Sequence, residues 1–183
     1  LMNLLGSHDV DRIRSALSVD FNIRSLSREE QLKIKFSQSS LDIALKMEKL
    51  AAAIQFAIPG VPSIYYGDEQ GMCGVCDPFN RQPFKEGEQE LFEYYCALSQ
   101  QRNSSDAMST GEAEFMAWSS DVLLILRYVN QNKDVFGIDA ESGAEAGFFG
   151  IAAGQGDDGG VVAAFLIEGV HGVGQENSVQ DFE

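Results

Sequence analysis

The sequence predicts an α/β fold in which buried parallel strands alternate with helices, followed by antiparallel β structure. Two short segments, residues 2–5 and 61–66, have the near-continuous apolar character of strands buried on both faces. One long helical pattern lies between these segments, and another follows the second of them. After Arg102 the pattern changes to short apolar segments punctuated by glycine, which favours antiparallel strands.

The first apolar segment ends in a turn of small residues that carries two polar side chains. Gly6 and Ser7 allow the backbone to turn sharply, and His8 and Asp9 follow side by side. Barrel enzymes place polar side chains in this way, on the rim formed by the C-terminal ends of their strands. An isolated His-Asp pair is more often structural than catalytic, so its interpretation depends on the rest of the chain.

Two helices are predicted between the apolar segments. Ser27 and Glu30 have the spacing of a capping box, which predicts a helix through about residue 36. A second cap, Ser39 with Asp42, begins a longer helix in which apolar residues recur at helical spacing until a Pro-Gly pair ends it. This helix suits a crossover between two parallel strands.

The second apolar segment begins a similar unit. Gly67 closes the predicted strand, and a helix is expected over residues 91–102. The residues of this helix that are predicted to face inward are Leu91, Phe92, Tyr95 and Leu98.

Two motifs carry a resemblance to a known family. The first is Asn-Leu-Leu-Gly-Ser-His-Asp at residues 3–9. The second is Gly-Val-Pro-Ser-Ile-Tyr-Tyr-Gly-Asp-Glu at residues 60–69, followed by Asp-Pro-Phe-Asn-Arg at residues 77–81. Over residues 2 to about 102, their order and spacing resemble the α-amylase superfamily of glycoside hydrolases, and within it the neopullulanase, cyclomaltodextrinase and α-glycosidase branch.

The resemblance implies the last two β/α units of a (β/α)8 TIM barrel, followed by a C-terminal antiparallel β domain. Residues 1–108 would be the C-terminal part of the catalytic barrel, and residues 109–183 a β-sandwich-like domain with a frayed tail. Residues 103–111 are predicted to be a turn-rich linker. A complete barrel needs about 250 residues. The chain has 183 and begins with Leu, so we expect a piece of a longer protein.

The resemblance also assigns site residues by motif position. Asp9 would be the carboxylate that stabilises the transition state beneath the sugar in subsite −1, and His8 would contact a hydroxyl of that sugar. Asp77 and Arg81 match positions that bind sugar at subsites −2 and −3, although an ion pair that shapes their loop is an alternative, compatible interpretation. The family's nucleophilic Asp and acid/base Glu would lie upstream, so the chain alone is expected to be inactive.

Three further charged residues are expected to support the site. Arg12 is predicted either to form a local surface ion pair or to brace the Asp9 carboxylate from behind. By resemblance, Glu69 would be a buried framework carboxylate and Asp68 a rim group, whereas a solvated loop is the alternative for both.

The chain contains three cysteines, two of which form the pattern Cys73-Gly-Val-Cys76. This spacing suits a zinc-ligand pair or a redox dithiol. Zinc would need two more ligands, and only Cys96 and two histidines remain. Ordinary loop thiols are the favoured interpretation, so no metal or cofactor is predicted. A cytoplasmic location is preferred to a secreted one, although the sequence does not decide it.

The charge of the chain restricts its partners. A formal net charge of −15 argues against nucleic acid and anionic membrane surfaces. A neutral α-glucan oligosaccharide or polysaccharide remains compatible. The aromatic and Met side chains after Arg102 are predicted to be core residues and not a sugar platform. The oligomeric state is not predicted.

Two hypotheses of function follow. In the first, the chain is part of a retaining glycoside hydrolase that acts on the α-glucosidic bonds of starch-type glucans or maltooligosaccharides. In the second, it is part of a non-catalytic glucan-binding or scaffold relative with the same fold. The intact pair His8 and Asp9 favours the enzyme, and the upstream carboxylates would decide between the two.

Overall fold

The computed structural model describes residues 1–141, 143–152 and 161–168, which form a mixed α/β structure. The strands are β1 (Met2–Leu4), β2 (Val61–Ser63), β3 (Glu112–Ala117), β4 (Val122–Val129), β5 (Gly143–Ala152) and β6 (Val161–Glu168). The helices are α1 (Ile13–Leu17), α2 (Arg28–Gln31), α3 (Gln38–Ala57), α4 (Gln89–Asn103) and α5 (Asp106–Thr110). Within these described ranges, no helix is both long enough and apolar enough to cross a membrane.

The strands form one parallel and one antiparallel sheet in the described part of the chain. β1 and β2 pair in parallel, with Met2 opposite Val61 and Leu4 opposite Ser63, and α3 lies between them in the sequence. This confirms the predicted β-α-β crossover. The other four strands pair antiparallel in the order β3-β4-β5-β6, which confirms the change to β structure after Arg102.

Strand β2 is shorter than predicted. It ends at Ser63 and not at residue 66, so Tyr65 and Tyr66 belong to the following loop. The ladder ends there because its partner β1 ends at Leu4, which lies opposite Ser63. The Tyr66 carbonyl instead accepts a hydrogen bond from Arg12 Nη1 at 2.7 Å.

The capping box at Ser27 and Glu30 is confirmed, but the helix it opens is only one turn long. The prediction that this helix continues through residue 36 is wrong. A separate helix, α3, begins directly afterwards, with Ser37 as its N-cap. Ser37 Oγ accepts a hydrogen bond from the Ser40 amide at 3.1 Å. The predicted cap at Ser39 is therefore also wrong, by two residues.

The hydrophobic core lies where α3, α4, α5 and β4 meet. Its buried members are Ala52, Ala53, Phe56, Ala57, Leu91, Tyr95, Leu98, Met108 and Ile125. Small alanines on α3 allow α4 to approach closely, and the rings of Phe56 and Tyr95 meet edge to face with centroids 6.3 Å apart. Phe92 was predicted to face inward but is exposed, because the buried residues of α4 form a narrow stripe that excludes it.

Two expectations for the C-terminal region are wrong. The predicted linker contains α5, whose first turn is capped by Ser105 and whose Met108 is buried in the core. The prediction that the aromatic and Met side chains of this region are core residues holds for Met108 but is wrong for Phe115, on the edge strand β3, and for Trp118, which follows it, because both are about half exposed. The predicted frayed tail, from residue 169 onward, lies outside the described residues.

Two buried arginines bind the C-terminal end of α3. Arg102 donates to the carbonyls of Phe56 and Gly60, while Arg127 donates to the Ala57 carbonyl at 2.8 Å. The last carbonyls of a helix lack partners within the helix and carry partial negative charge, so cations are favoured there. Burial lowers the pKa of both arginines, and the charge of Arg102 adds to this effect in bringing the pKa of Arg127 to about 10. At a pKa of about 10, Arg127 remains cationic at neutral pH.

We expect Arg102→Met in the full-length protein to lower the free energy of unfolding by about 2 to 4 kcal/mol. The variant keeps much of the apolar stem but leaves buried carbonyls unpaired. Denaturant or thermal unfolding measures the change. Arg28→Met, at an exposed position, is the matched control and should alter stability by less than about 0.5 kcal/mol. Equal effects of the two substitutions would contradict the capping role.

Candidate active site

Two loops at one edge of the parallel pair carry the predicted site residues. Because β1 and β2 are parallel, the turn after β1 and the loop after β2 emerge at the same edge. In the turn, Ser7 Oγ accepts a hydrogen bond from the Asp9 amide at 3.1 Å. His8 Nε2 lies 3.2 Å from Asp9 Oδ2, and the two side chains are 60% and 74% exposed. The structure therefore brings His8 and Asp9 together at the surface.

The loop after β2 carries Asp77 and Arg81. Arg81 Nε lies 2.6 Å from Asp77 Oδ1, so the ion pair left open by the sequence is present. The Arg81 side chain is 46% exposed and the Asp77 side chain 49%. A forked guanidinium and a carboxylate with a second oxygen can hold this pair and still offer donors and acceptors to hydroxyl groups.

Arg12 is completely buried, and it holds the loop after β2 in place. Its Nη1 lies 3.0 Å from Asp68 Oδ1, and its Nε donates to the Asn80 carbonyl at 3.0 Å. Its guanidinium carbon also lies 4.6 and 4.8 Å from the ring centroids of Tyr65 and Tyr66. Both expectations for Arg12 are therefore wrong: it neither braces Asp9 nor forms a surface ion pair.

The expected roles of Asp68 and Glu69 are exchanged. Asp68 is only 2% exposed, and burial raises its pKa to about 6, although the adjacent Arg12 partly opposes this shift. Glu69 is partly exposed, and its Oε2 accepts a hydrogen bond from the Gly67 amide at 2.8 Å. Asp68 packs so tightly that a Cβ atom on Gly6 would lie 2.3 Å from its Oδ2. The buried framework carboxylate is thus Asp68, because Arg12 is directed at it.

A second buried arginine, Arg14, lies in the same segment. It donates from Nε to Glu48 Oε2 at 2.6 Å and forms a two-pronged contact with the Glu88 carboxylate at 2.9 and 3.2 Å. Burial lowers the pKa of Arg14, but the two carboxylates outweigh it and the net shift is upward. Burial raises the pKa of Glu48 to about 7, although Arg14 opposes the shift.

Sequence reasoning missed these buried pairs and the buried Asn80. The carboxylate partners of the two arginines lie 34 to 74 residues away in the sequence. Local charge patterns therefore contain no signal for them.

The cysteines are not in disulfides. Cys76 Sγ lies 3.0 Å from Asp11 Oδ1, and burial together with this carboxylate raises the pKa of the Cys76 thiol. Burial also raises the pKa of Cys73, so neither thiol is activated as a thiolate at neutral pH. Among the residues that the structure describes, no group of three His, Cys, Asp or Glu side chains is arranged to hold a metal ion.

Comparison with known proteins identifies the family. No family model matches the sequence. The chain is 38% identical over 138 residues to an amylopullulanase of Thermoanaerobacter thermohydrosulfuricus, covering 74% of this chain and 9% of that protein. It is 31% identical over 125 residues to neopullulanase 2 of Thermoactinomyces vulgaris, covering 66% of this chain and 17% of that protein. The chain belongs to the α-amylase superfamily.

Solved structures agree with this assignment. This chain matches the maltogenic amylase from S. marinus at a TM-score of 0.59 and 26% identity, and the match covers 92% of this chain and 22% of that one. It also matches the Arthrobacter globiformis cyclic α-maltosyl-(1→6)-maltose hydrolase, solved in complex with maltose, at a TM-score of 0.61. There the identity is 20%, with 91% of this chain and 34% of that one covered, so this likeness concerns the fold alone.

The buried pair of Arg14 and Glu48 predicts a pH dependence of stability in this superfamily member. A folded-state pKa of about 7 for Glu48 lies above the ordinary value of 4.5, so the folded state binds more protons than the unfolded state between these values. Stability should therefore fall as pH rises from about 4.5 to about 7, by up to about 3 kcal/mol from this group.

Glu48→Gln should remove this part of the pH dependence. Unfolding of the full-length protein, measured between pH 4.5 and pH 8, tests the prediction. The control, Glu93→Gln at an exposed position of α4, should keep the native slope. A Glu48→Gln profile parallel to the native one would contradict the assignment.

Proposed function

We propose that this chain is part of a retaining glycoside hydrolase that acts on the α-glucosidic bonds of starch-type glucans or maltooligosaccharides. In this proposal, β1 and β2 are strands seven and eight of a (β/α)8 barrel. Residues 1–108 complete the barrel, and residues 109–183 form the C-terminal β domain. The observation that carries the proposal is the exposed pair of His8 and Asp9 directly after β1, at the same edge as the loop that carries Asp77 and Arg81.

Asp9 has a specific role in this reaction. Hydrolysis by retaining enzymes passes through an oxocarbenium-like state, with one carboxylate attacking and a second carboxyl group protonating the leaving oxygen. Asp9 is a third carboxylate that stabilises positive charge as it develops on the sugar in subsite −1. This interaction grows towards the transition state and therefore lowers the barrier. His8 donates a hydrogen bond to a hydroxyl group of the same sugar.

Asp77 and Arg81 bind sugars further from the cleaved bond, at subsites −2 and −3. Their ion pair fixes each side chain before the ligand arrives, which reduces the entropy lost on binding. The fixed carboxylate accepts from hydroxyl groups, and the guanidinium donates to them. The proposed ligand is supported by a structural neighbour, the Arthrobacter globiformis hydrolase, which was solved in complexes with maltose and with cyclic α-maltosyl-(1→6)-maltose.

Arg12 and Glu69 support the site without touching the sugar. Arg12 joins the segment after Asp9 to the loop after β2, so it keeps the two halves of the site at a constant separation. Glu69 fixes the Gly67 amide at the start of that loop. Rigid support of this kind matters because catalytic groups must be held within a fraction of an ångström.

The proposal is tested by Asp9→Asn in the full-length protein, which keeps the shape of the side chain but removes its charge. We expect kcat to fall about 10³-fold, equivalent to roughly 4 kcal/mol, with a much smaller change in KM. Asp20→Asn, at an exposed position, is the control and should keep native kinetics. If folded Asp9→Asn protein retains near-normal kcat, Asp9 is not catalytic. If the native protein lacks hydrolytic activity but binds glucan, the non-catalytic alternative holds.

Arg81→Ala should weaken the use of long oligosaccharides more than that of short ones, because its contact lies two or more sugars from the cleaved bond. Losing a charge-assisted hydrogen bond should cost about 1.5 to 3 kcal/mol. The measurement is the ratio of kcat/KM for maltohexaose to kcat/KM for an activated monoglucoside. Lys85→Ala, exposed on the same loop, should leave this ratio unchanged. An unchanged ratio in Arg81→Ala would show that Arg81 does not bind sugar and only stabilises its loop through the ion pair with Asp77.

The 183-residue chain alone should not hydrolyse glucans, because Asp9 neither attacks the sugar nor protonates the leaving group. Incubation of the purified chain with maltooligosaccharides, followed by detection of released reducing sugar, measures this directly. Product above the level of the Asp9→Asn chain would show that the chain itself contains a complete catalytic set.

A further inference from the structure

Asn80 is a fully buried residue in the loop after β2, and it lies 70 to 73 residues along the chain from the carbonyls of the turn that carries the proposed catalytic pair. Its Nδ2 donates to three backbone carbonyls of that turn: Ser7 at 3.2 Å, His8 at 3.0 Å and Val10 at 2.7 Å. The relative exposure of Asn80 is 0%. An amide nitrogen has two hydrogens, so at least one is shared between two carbonyls.

These three carbonyls define the orientation of the Asn80 side chain. If the amide were reversed, its oxygen would face three other oxygens, so the nitrogen must point at the turn. The carbonyls of the turn are thereby gathered on its inner side. The side chains of His8 and Asp9 lie on the outer side, where they are 60% and 74% exposed.

Among the described residues, three further hydrogen bonds reach the backbone of residues 7–10. Within it, the Val10 amide reaches the Ser7 carbonyl at 3.4 Å, and the Asp9 amide reaches Ser7 Oγ at 3.1 Å. From outside, the exposed Arg24 contacts the Asp9 carbonyl at 3.3 Å. The Asn80 contacts are the ones made from a buried position, so they restrict the turn most strongly.

Asn80 is itself held by the buried arginine below the site. Arg12 Nε donates to the Asn80 carbonyl at 3.0 Å, and the Arg12 amide donates to the Gly74 carbonyl at 2.9 Å. Asn80 directly precedes Arg81, which pairs with Asp77. One residue therefore joins the turn with the proposed transition-state stabiliser to the loop with the proposed distal sugar contacts.

We propose that Asn80 is a positioning residue that holds Asp9 at the geometry required for transition-state stabilisation, by gathering the carbonyls of the Ser7–Val10 turn. This inference rests on the proposed function. Asn80 does not contact the sugar and acts only through Asp9. Movement of the turn by about 1 Å is enough to lower the rate on the order of 100-fold.

The test is a double-mutant cycle of Asn80→Ala and Asp9→Asn in the full-length protein, assayed with an activated monoglucoside that does not reach Asp77 or Arg81. Asn80→Ala alone should lower kcat of the folded protein by about 10- to 100-fold with a small change in KM. In the Asp9→Asn background it should lower kcat by less than about threefold, because residues acting through one another are not additive.

The control is Gln82→Ala, which removes another side-chain amide of the same loop at an exposed position. The Gln82 amide donates to the Phe79 carbonyl at 3.0 Å and should be dispensable for kcat. If Asn80→Ala does not fold, Asn80→Ser replaces it in the cycle, since the hydroxyl retains one donor, and the same non-additivity is expected.

Each outcome separates the two proposals. If the two fold-reductions in kcat multiply in the double variant, the positioning role is overturned and the proposed function stays intact. Native kcat in folded Asn80→Ala protein has the same meaning. Native kcat in Asp9→Asn alone would overturn the proposed function itself. A lowered melting temperature without a change in kcat would assign Asn80 to stability only.

Discussion

The site depends on the burial of one positive charge. Arg12 has no exposed surface, so its guanidinium must find its partners inside the protein. It finds them in the loop after β2: the carboxylate of Asp68, the carbonyls of Tyr66 and Asn80, and the faces of two tyrosine rings. The loop after β2 and the buried Asp68, which packs closely against Gly6, are arranged around this side chain.

Buried charge beneath the site contrasts with exposed polar groups above it. Arg12 is buried with Asp68 and Arg14 with Glu48, whereas His8 and Asp9 lie at the surface. A buried ion pair adds little net stability, because desolvation offsets much of its attraction. Such pairs are directional, however, and breaking one leaves an uncompensated charge. We attribute to them the fixed arrangement of the two loops, and not a large share of the folding energy.

The sequence predicted the parts of the structure that depend on local signals. The positions of β1 and β2, the capping box at Ser27 and three of the four predicted buried residues of α4 each have a signature within a few residues. The burial of both strands on both faces was predicted wrongly, because Met2, Leu4 and Val61 are more than half exposed. His8, Asp9, Asp77 and Arg81 were identified from motifs, and the structure places each pair in contact.

The errors concern interactions between residues distant in the sequence. Arg12 could equally have paired with Asp9 or Asp68 until the loop after β2 was placed. The exchange of roles between Asp68 and Glu69 follows from that single contact. Asn80 lies within the Asp-Pro-Phe-Asn-Arg motif, but its role was not predicted, because only the folded structure shows its amide meeting three carbonyls of another segment.

The proposed site places Asp9 on the sugar at the cleaved bond, with Asp77 and Arg81 further along the same chain of sugars. A crystal structure of the full-length protein with a bound, unreactive maltooligosaccharide is the decisive measurement. We expect an Asp9 carboxylate oxygen about 3 Å from hydroxyl groups of the sugar in subsite −1, with Asp77 and Arg81 contacting sugars two or three units away. An oligosaccharide bound elsewhere, with Asp9 facing only water, would refute these roles.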